Sequence, residues 1–184
     1  MRRNQHITAL AVTLLTGALL AGCASLGAEP KQVAANAPKP ATSYGPQVVH
    51  FDGLRNIRFG HKVTDLTAQG FVNVSNQGCG PRFTDIPQAS PVFADGVLVM
   101  MWFNPPLATP EGVMVGTPVS EVRKRYSTEV DLTPPAGSYT FPGLLVRNGD
   151  RAYLFLHDGK TVQKTIAGYE THVRRLFETG FGSC

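Results

Sequence analysis

Residues 144–166 read LLVRNGDRAYLFLHDGKTVQKTI. Three strand-like runs, at 144–146, 152–156 and 161–166, are separated by the dipeptides Asn148-Gly149 and Asp158-Gly159. Asn-Gly and Asp-Gly between such runs are the strongest local hairpin signals, because these residues accept the positive φ that a tight antiparallel turn requires. The stretch therefore predicts a three-stranded antiparallel meander.

The same signature recurs upstream, where Val92-Phe93-Ala94 and residues 97–103 flank Asp95-Gly96. Downstream, residues 169–178 carry apolar side chains at 169, 173, 176 and 177, which is the spacing of one helix face, and Gly180 is placed to end it. Two further helix starts belong to a weak internal repeat. Gly60-His61-Lys62-Val63-Thr64-Asp65-Leu66 and Gly116-Thr117-Pro118-Val119-Ser120-Glu121-Val122 both read G-x-x-V-[T/S]-[D/E]-[L/V], 56 positions apart. Each puts an acid, Asp65 or Glu121, early in its helix, where the helix dipole favours negative charge. Pro118 sits where a first-turn proline is tolerated. The expected architecture is an α+β domain, an antiparallel β-sheet with short helices on one face, with two weak tandem repeats.

Composition bounds the class. The chain has 184 residues, of which 42% are hydrophobic and 16% charged, with 14 prolines and 19 glycines. That is one domain with extra segments, too apolar for a disordered chain and too scattered for several membrane spans. A formal charge of +4 with no Lys/Arg cluster among aromatics argues against a nucleic-acid partner.

The N-terminus reads MRRNQHITALAVTLLTGALLAGC. Arg2 and Arg3 form a positive start, and residues 7–20 are an uncharged apolar run. Such a run is short of the roughly 20 residues of a membrane span and suits a secretory signal. Its exit, Leu20-Ala21-Gly22-Cys23, resembles the lipobox of bacterial lipoproteins. The resemblance implies cleavage before Cys23 and a diacylglyceryl group on its sulfur, so that residues 1–22 are a signal peptide. Two acyl chains hold a protein at a membrane where one is marginal. From Cys23 to position 47 the chain is rich in Ala and Pro without helical or strand periodicity, which suits a flexible linker. Residues 48–184 are then the single folded domain. Arg2 and Arg3 leave with the signal, which reduces the balance of 17 basic against 13 acidic residues to 15 against 13.

Of the three cysteines, lipidation of Cys23 leaves Cys79 and Cys184. In an extracytoplasmic setting they are expected to form one disulfide. The closed loop exceeds 100 residues, for which chain entropy gives about 4–5 kcal/mol before strain. Two free thiols or a metal site are the competing readings, although two cysteines without clustered histidines make a poor metal site. Taken together, the lipobox, the paired helix starts and the Cys79/Cys184 pair are similar to a group of small secreted bacterial lipoproteins of unknown function, many of them actinobacterial. The helix starts also resemble the repeat of β-lactamase-inhibitor-like and outer-membrane assembly lipoprotein folds, where G-M-[S/T]-x-x-[E/Q]-V opens each copy. Here His61-Lys62 and Thr117-Pro118 replace the Met-Ser/Thr pair, so the resemblance implies topology and carries no binding residues.

No G-x-S-x-G, H-E-x-x-H, Walker A or G-x-G-x-x-G pattern occurs in the sequence. Histidines 50, 61, 157 and 172 stand apart from one another and from the cysteines, and neither metal nor cofactor is expected. His157-Asp158 are adjacent, but Asp158-Gly159 is better read as a turn. Two features suggest a binding surface. Residues 100–106, MMWFNPP, hold the only Trp, and alternation in a strand sends either Met100/Trp102 or Met101/Phe103 away from the helices. An exposed Trp102 would be a partner anchor. The second is the Pro/Gly-rich loop at 131–143 with Tyr139 and Phe141. The expected function is a lipid-anchored cell-envelope protein on the extracytoplasmic face of the cell membrane, acting as a non-enzymatic binding or assembly module for an envelope protein or cell-wall ligand. The alternatives are a hydrolase assembled from His61, Asp65, His157 and Asp158, and a small-ligand or cell-wall sensor with an apolar pocket near Trp102.

Overall fold

The computed structural model describes residues 45–74, 80–137 and 141–180, all within one unit spanning Ala41–Cys184. The signal peptide, Cys23, nearly all of the linker, Cys79, Tyr139 and Cys184 lie outside the described residues. The first described elements are three two-residue strands, β1 (Val49–His50), β2 (Gly53–Leu54) and β3 (Ile57–Arg58), which form a small antiparallel sheet. Helix α1 (Val63–Ala68) follows, then the pair β4 (Val72–Asn73) and β5 (Arg82–Phe83). A hairpin of β6 (Ala89–Ala94) and β7 (Val97–Phe103) leads to α2 (Val119–Arg125). Strand β8 (Val130–Leu132) precedes the meander β9 (Gly143–Asn148), β10 (Arg151–His157) and β11 (Val162–Tyr169), and α3 (Glu170–Thr179) ends the fold. The large sheet has six antiparallel strands in the order β6-β7-β11-β10-β9-β8. The α+β class and the three hairpin-linked strands follow the expectation.

The turns differ in detail. Asp95 and Gly96 both have positive φ, 51° and 73°, as a type I′ hairpin requires. In the next hairpin Asn148 pairs with Arg151, so the turn residues are Gly149 and Asp150, one position later than Asn148-Gly149. Only Gly149 has positive φ, which is the type II′ pattern with glycine first. Asp158 closes the third turn through its side chain, with Oδ1 accepting the N–H groups of Lys160 and Thr161 at 2.8 Å each.

The helices do not share one face of the sheet, which corrects that part of the expectation. Leu66 of α1 and Val119 and Val122 of α2 pack with Tyr153 and Phe155 of β10 in a first core, which also receives Val49, Leu54 and Ile57 from the small sheet. Val173, Leu176 and Phe177 of α3 pack with Ala152, Leu154 and Leu156 on the opposite side, in a second core. The reason lies in β10, which is apolar at each position from 152 to 156. A strand of that kind needs cover on both faces, whereas alternation marks a sheet with one wet face. Each apolar helix face of this size offsets the ordering of its own backbone only by such burial.

The two G-x-x-V segments dock in the same way. Gly60 N–H donates to Leu98 O, Leu98 N–H to His61 O and Val63 N–H to Gly96 O, at 2.8–2.9 Å. In the second copy Gly116 N–H donates to Val162 O, Val162 N–H to Thr117 O and Val119 N–H to Lys160 O, over the same range. His61 Nδ1 accepts the N–H of Arg58 and Thr117 Oγ1 that of Met114, each three residues back. Gly60 and Gly116 share a positive φ, 96° and 89°, which explains why glycine opens both copies.

This equivalence relates Leu98 to Val162, and hence β7 to β11. The same offset turns the observed pair Phe103–Thr165 into Ala167–Met101, which is also observed, and turns Trp102–Ile166 into itself. A local two-fold axis therefore passes through the Trp102–Ile166 pair. Residues 60–63 extend the sheet beside β7 where β11 ends, and residues 116–119 do so beside β11 before β7 joins it.

Candidate functional site

Strand β7 places Met101 and Phe103 in the first core and directs Met100 and Trp102 to the side of α3. Met100, Met101 and Phe103 are at most 1% exposed, and only Trp102 of the four is half-buried. It packs against the margin of the second core and opens onto a hollow of about 350 Å³, shared with Asn104, Gln163 and Lys164. Both faces of β7 are thus largely covered, and the one aromatic of this strand left at the surface is the Trp singled out from the sequence.

The two-fold explains why the hollow exists. It relates Met100 and Gly168, which lie beneath α3, to Lys164 and Asn104, which are exposed. One half of the β7–β11 seam is roofed by a helix and its counterpart, among the described residues, is not. The hollow's walls are held firmly. Gln163 Nε2 donates to Asp158 Oδ2 at 3.0 Å and to Thr161 Oγ1 at 2.9 Å. Thr165 donates its hydroxyl proton to Phe103 O. Lys164 Nζ stands 5.5 Å from the Trp102 ring centre, within reach of a cation–π attraction. The hollow is shallow and polar-rimmed, unlike the deep apolar pocket that a small-ligand sensor would present.

Phe141 is half-buried against the same second core but does not line the hollow. It precedes β9, and β11 and β10 lie between β9 and β7, a separation of roughly 14 Å across the sheet at about 4.8 Å per strand. The structure therefore does not bring Trp102 and Phe141 into one site, and Tyr139 lies outside the described residues.

The four residues of the hydrolase alternative are also not brought together. His61 lies beside Leu98 at the start of β7, whereas His157 lies beside Val162 at the start of β11. These are opposite ends of an antiparallel seam, roughly 25 Å apart at about 3.3 Å per residue. Asp65 follows His61 into α1, and Asp158 is committed to its turn. The backbone N–H groups of Thr161 and Lys160 hold its carboxyl below the usual carboxylate range. His157 is 6% exposed, and its Nδ1 accepts the N–H of Gly159 at 3.1 Å. Burial first, and then the Arg123 guanidinium, hold its imidazole below the ordinary histidine value. Among the described residues, no three His, Cys, Asp or Glu side chains gather as they would to hold a metal ion.

Sequence reasoning found Trp102 but missed Asn104, Gln163 and Lys164. Their place beside it depends on the pairing of β7 with β11, and no local pattern encodes that register. Comparison with family models, with curated proteins and with solved structures finds no match. The functional reading accordingly rests on the chemistry of this surface.

Proposed function

We propose that the chain is a lipid-anchored cell-envelope protein on the extracytoplasmic face, acting as a non-enzymatic binding or assembly module through the hollow beside Trp102. The observation that carries the reading is a lone tryptophan left half-open in a strand whose neighbouring side chains are buried. Large aromatics at the edge of a well-packed core, rimmed by polar groups, are the usual anchors of recognition surfaces. The lipobox at Cys23 supplies the anchor, and a Cys79–Cys184 disulfide would suit the compartment.

The test compares the lipidated, detergent-solubilised chain with its Trp102→Ala variant for retention on isolated envelope material. Retention of the wild-type protein, with at least about a tenfold weaker variant, is expected for loss of a central aromatic anchor. Equal retention of the two, or turnover of an envelope substrate with no retention, would overturn the reading.

A further inference from the structure

A second hollow, of about 330 Å³, lies between β5 and β6 and is lined in part by Arg82, Pro87 and Ser90. Ser90 is the cross-strand partner of Trp102, so the two hollows adjoin across the β6–β7 ladder. Arg82 lines the first hollow and Lys164 the second, and the Ser90–Trp102 pair stands between them. The strands β6, β7 and β11 alone span roughly 10 Å at about 4.8 Å per step. Each hollow lies within the range of ordinary ligand clefts, about 300–1,000 Å³.

The charge of the lining is one-sided. Arg82 and Lys164 are its basic side chains, and among the described residues no carboxylate lines either hollow. Neither cation is in an ion pair among the described residues. The remaining polar side chains are those of Ser90, Asn104, Gln163 and Thr165, of which Ser90 and Asn104 are exposed while Gln163 and Thr165 donate to partners within the protein. The exposed groups and the Trp102 indole suit the hydroxyls and flat apolar faces of sugar rings, while the two cations suit negative charge. An extended peptide fits less well. It would bind by adding a strand to the β6 edge, but Pro91 within β6 has no N–H to contribute.

We infer that the two adjoining hollows form one groove that binds an extended anionic glycan, a chain of sugars bearing carboxylate or phosphate groups. This rests on the binding-module reading and names the ligand class for it. Trp102 packs against a sugar face at the centre, and Arg82 and Lys164 hold acidic groups on either side.

The experiment titrates the full lipidated chain, in detergent, with oligogalacturonate as the anionic glycan. Trp102 is the only tryptophan in the sequence, so its emission reports the site directly. A saturable emission change is expected, weakened about tenfold or more by Arg82→Glu or Lys164→Glu and weakened by added salt. Both side chains are exposed, so these variants are expected to keep the wild-type circular dichroism spectrum. A neutral chito-oligosaccharide of equal length is expected to bind at least about tenfold more weakly, for lack of the two charge-assisted contacts. No saturable change, unchanged binding in both charge variants, or tighter binding of poly-glutamate of equal charge or of anionic phospholipid vesicles would each overturn the inference. Wild-type retention on envelope material that is lost in Trp102→Ala, without oligogalacturonate binding, would overturn the glycan class alone and leave the binding-module reading standing.

Discussion

Gly168 lies at the closest approach between β11 and β7, and replacing it with alanine tests the seam directly. A Cβ built there would stand 2.4 Å from Met100 Cβ and 2.5 Å from the Val99 carbonyl oxygen. Ordinary contacts of that kind are about 3.5–4.0 Å, so the strands must part by about an ångström. Gly168 is not among the glycines with positive φ, so alanine meets no backbone strain. By itself, the reduced freedom of the unfolded chain would stabilise Gly168→Ala by about 0.4–1 kcal/mol. Overpacking a core costs about 1–3 kcal/mol, and here one neighbour is backbone that cannot rotate away. At the upper end of that cost the net expectation is a loss of about 2 kcal/mol. With a urea m-value near 2 kcal/mol per molar, the midpoint falls by about 1 M. Urea titration followed by Trp102 emission measures this, with Ser90→Ala, at an exposed position, as the control. A midpoint unchanged or raised in Gly168→Ala would refute the described approach of β7 to β11, and with it the register that places Lys164 beside Trp102.

Other outcomes follow from the sequence and the packing. Cys23→Ala is expected to leave the protein unlipidated, either shed or retained as precursor, and unchanged membrane attachment in detergent partitioning would refute the proposed anchor. Tyr126 donates its hydroxyl proton to Glu111 Oε2, and burial followed by this bond raises the phenol above its ordinary value. Tyr126→Phe should therefore cost about 1–3 kcal/mol in chemical denaturation. The exposed Arg123–Asp131 pair at 2.6 Å should matter far less, with Arg123→Ala costing under about 1 kcal/mol in the same assay. His157 gives a pH dependence whose sign is set by its lowered folded-state value, with Arg123, Asp131 and Asp158 as the charges around it. The unfolded chain takes up a proton more readily than the folded one, so the contribution is fully present above the ordinary histidine value and is lost as pH falls through and below it. His50 and His172 are lowered in the same direction, by burial first and then by Arg58 and Arg175 respectively. His157→Gln should therefore flatten, without removing, the decline in midpoint between about pH 7 and pH 5, and an unaltered slope would exclude His157 as a contributor.

What was legible in the sequence was local. Asp95-Gly96 and Asp158-Gly159 announced their turns because the conformations they permit are properties of those residues alone. Asn148-Gly149 marked the right place but not the right phase, since the Asn148–Arg151 pairing is fixed by the burial of β9 and β10 rather than by the dipeptide. The G-x-x-V segments were visible as similar strings, while their docking partners, Leu98 and Val162, lie tens of residues away. The division of the helices between two faces had a sign in the unbroken apolar run at 152–156, which alternation-based reading passes over. Trp102 stood out by composition. The residues that surround it were hidden, because Ser90, Asn104, Gln163 and Lys164 are ordinary surface polar residues until the strands are paired.

The seam through Trp102 and Ile166 also carries a cost in chain entropy. The β6–β7 and β9–β10–β11 hairpins join residues close in sequence, whereas Thr165 meets Phe103 across 62 positions. Closing a longer loop costs more entropy and slows the step that needs it. The union of the two hairpin sets along β7 and β11 is therefore the entropically costlier closure of the fold. Only at that union do Trp102 and Lys164 come side by side, so the hollow they line needs both hairpin sets in place.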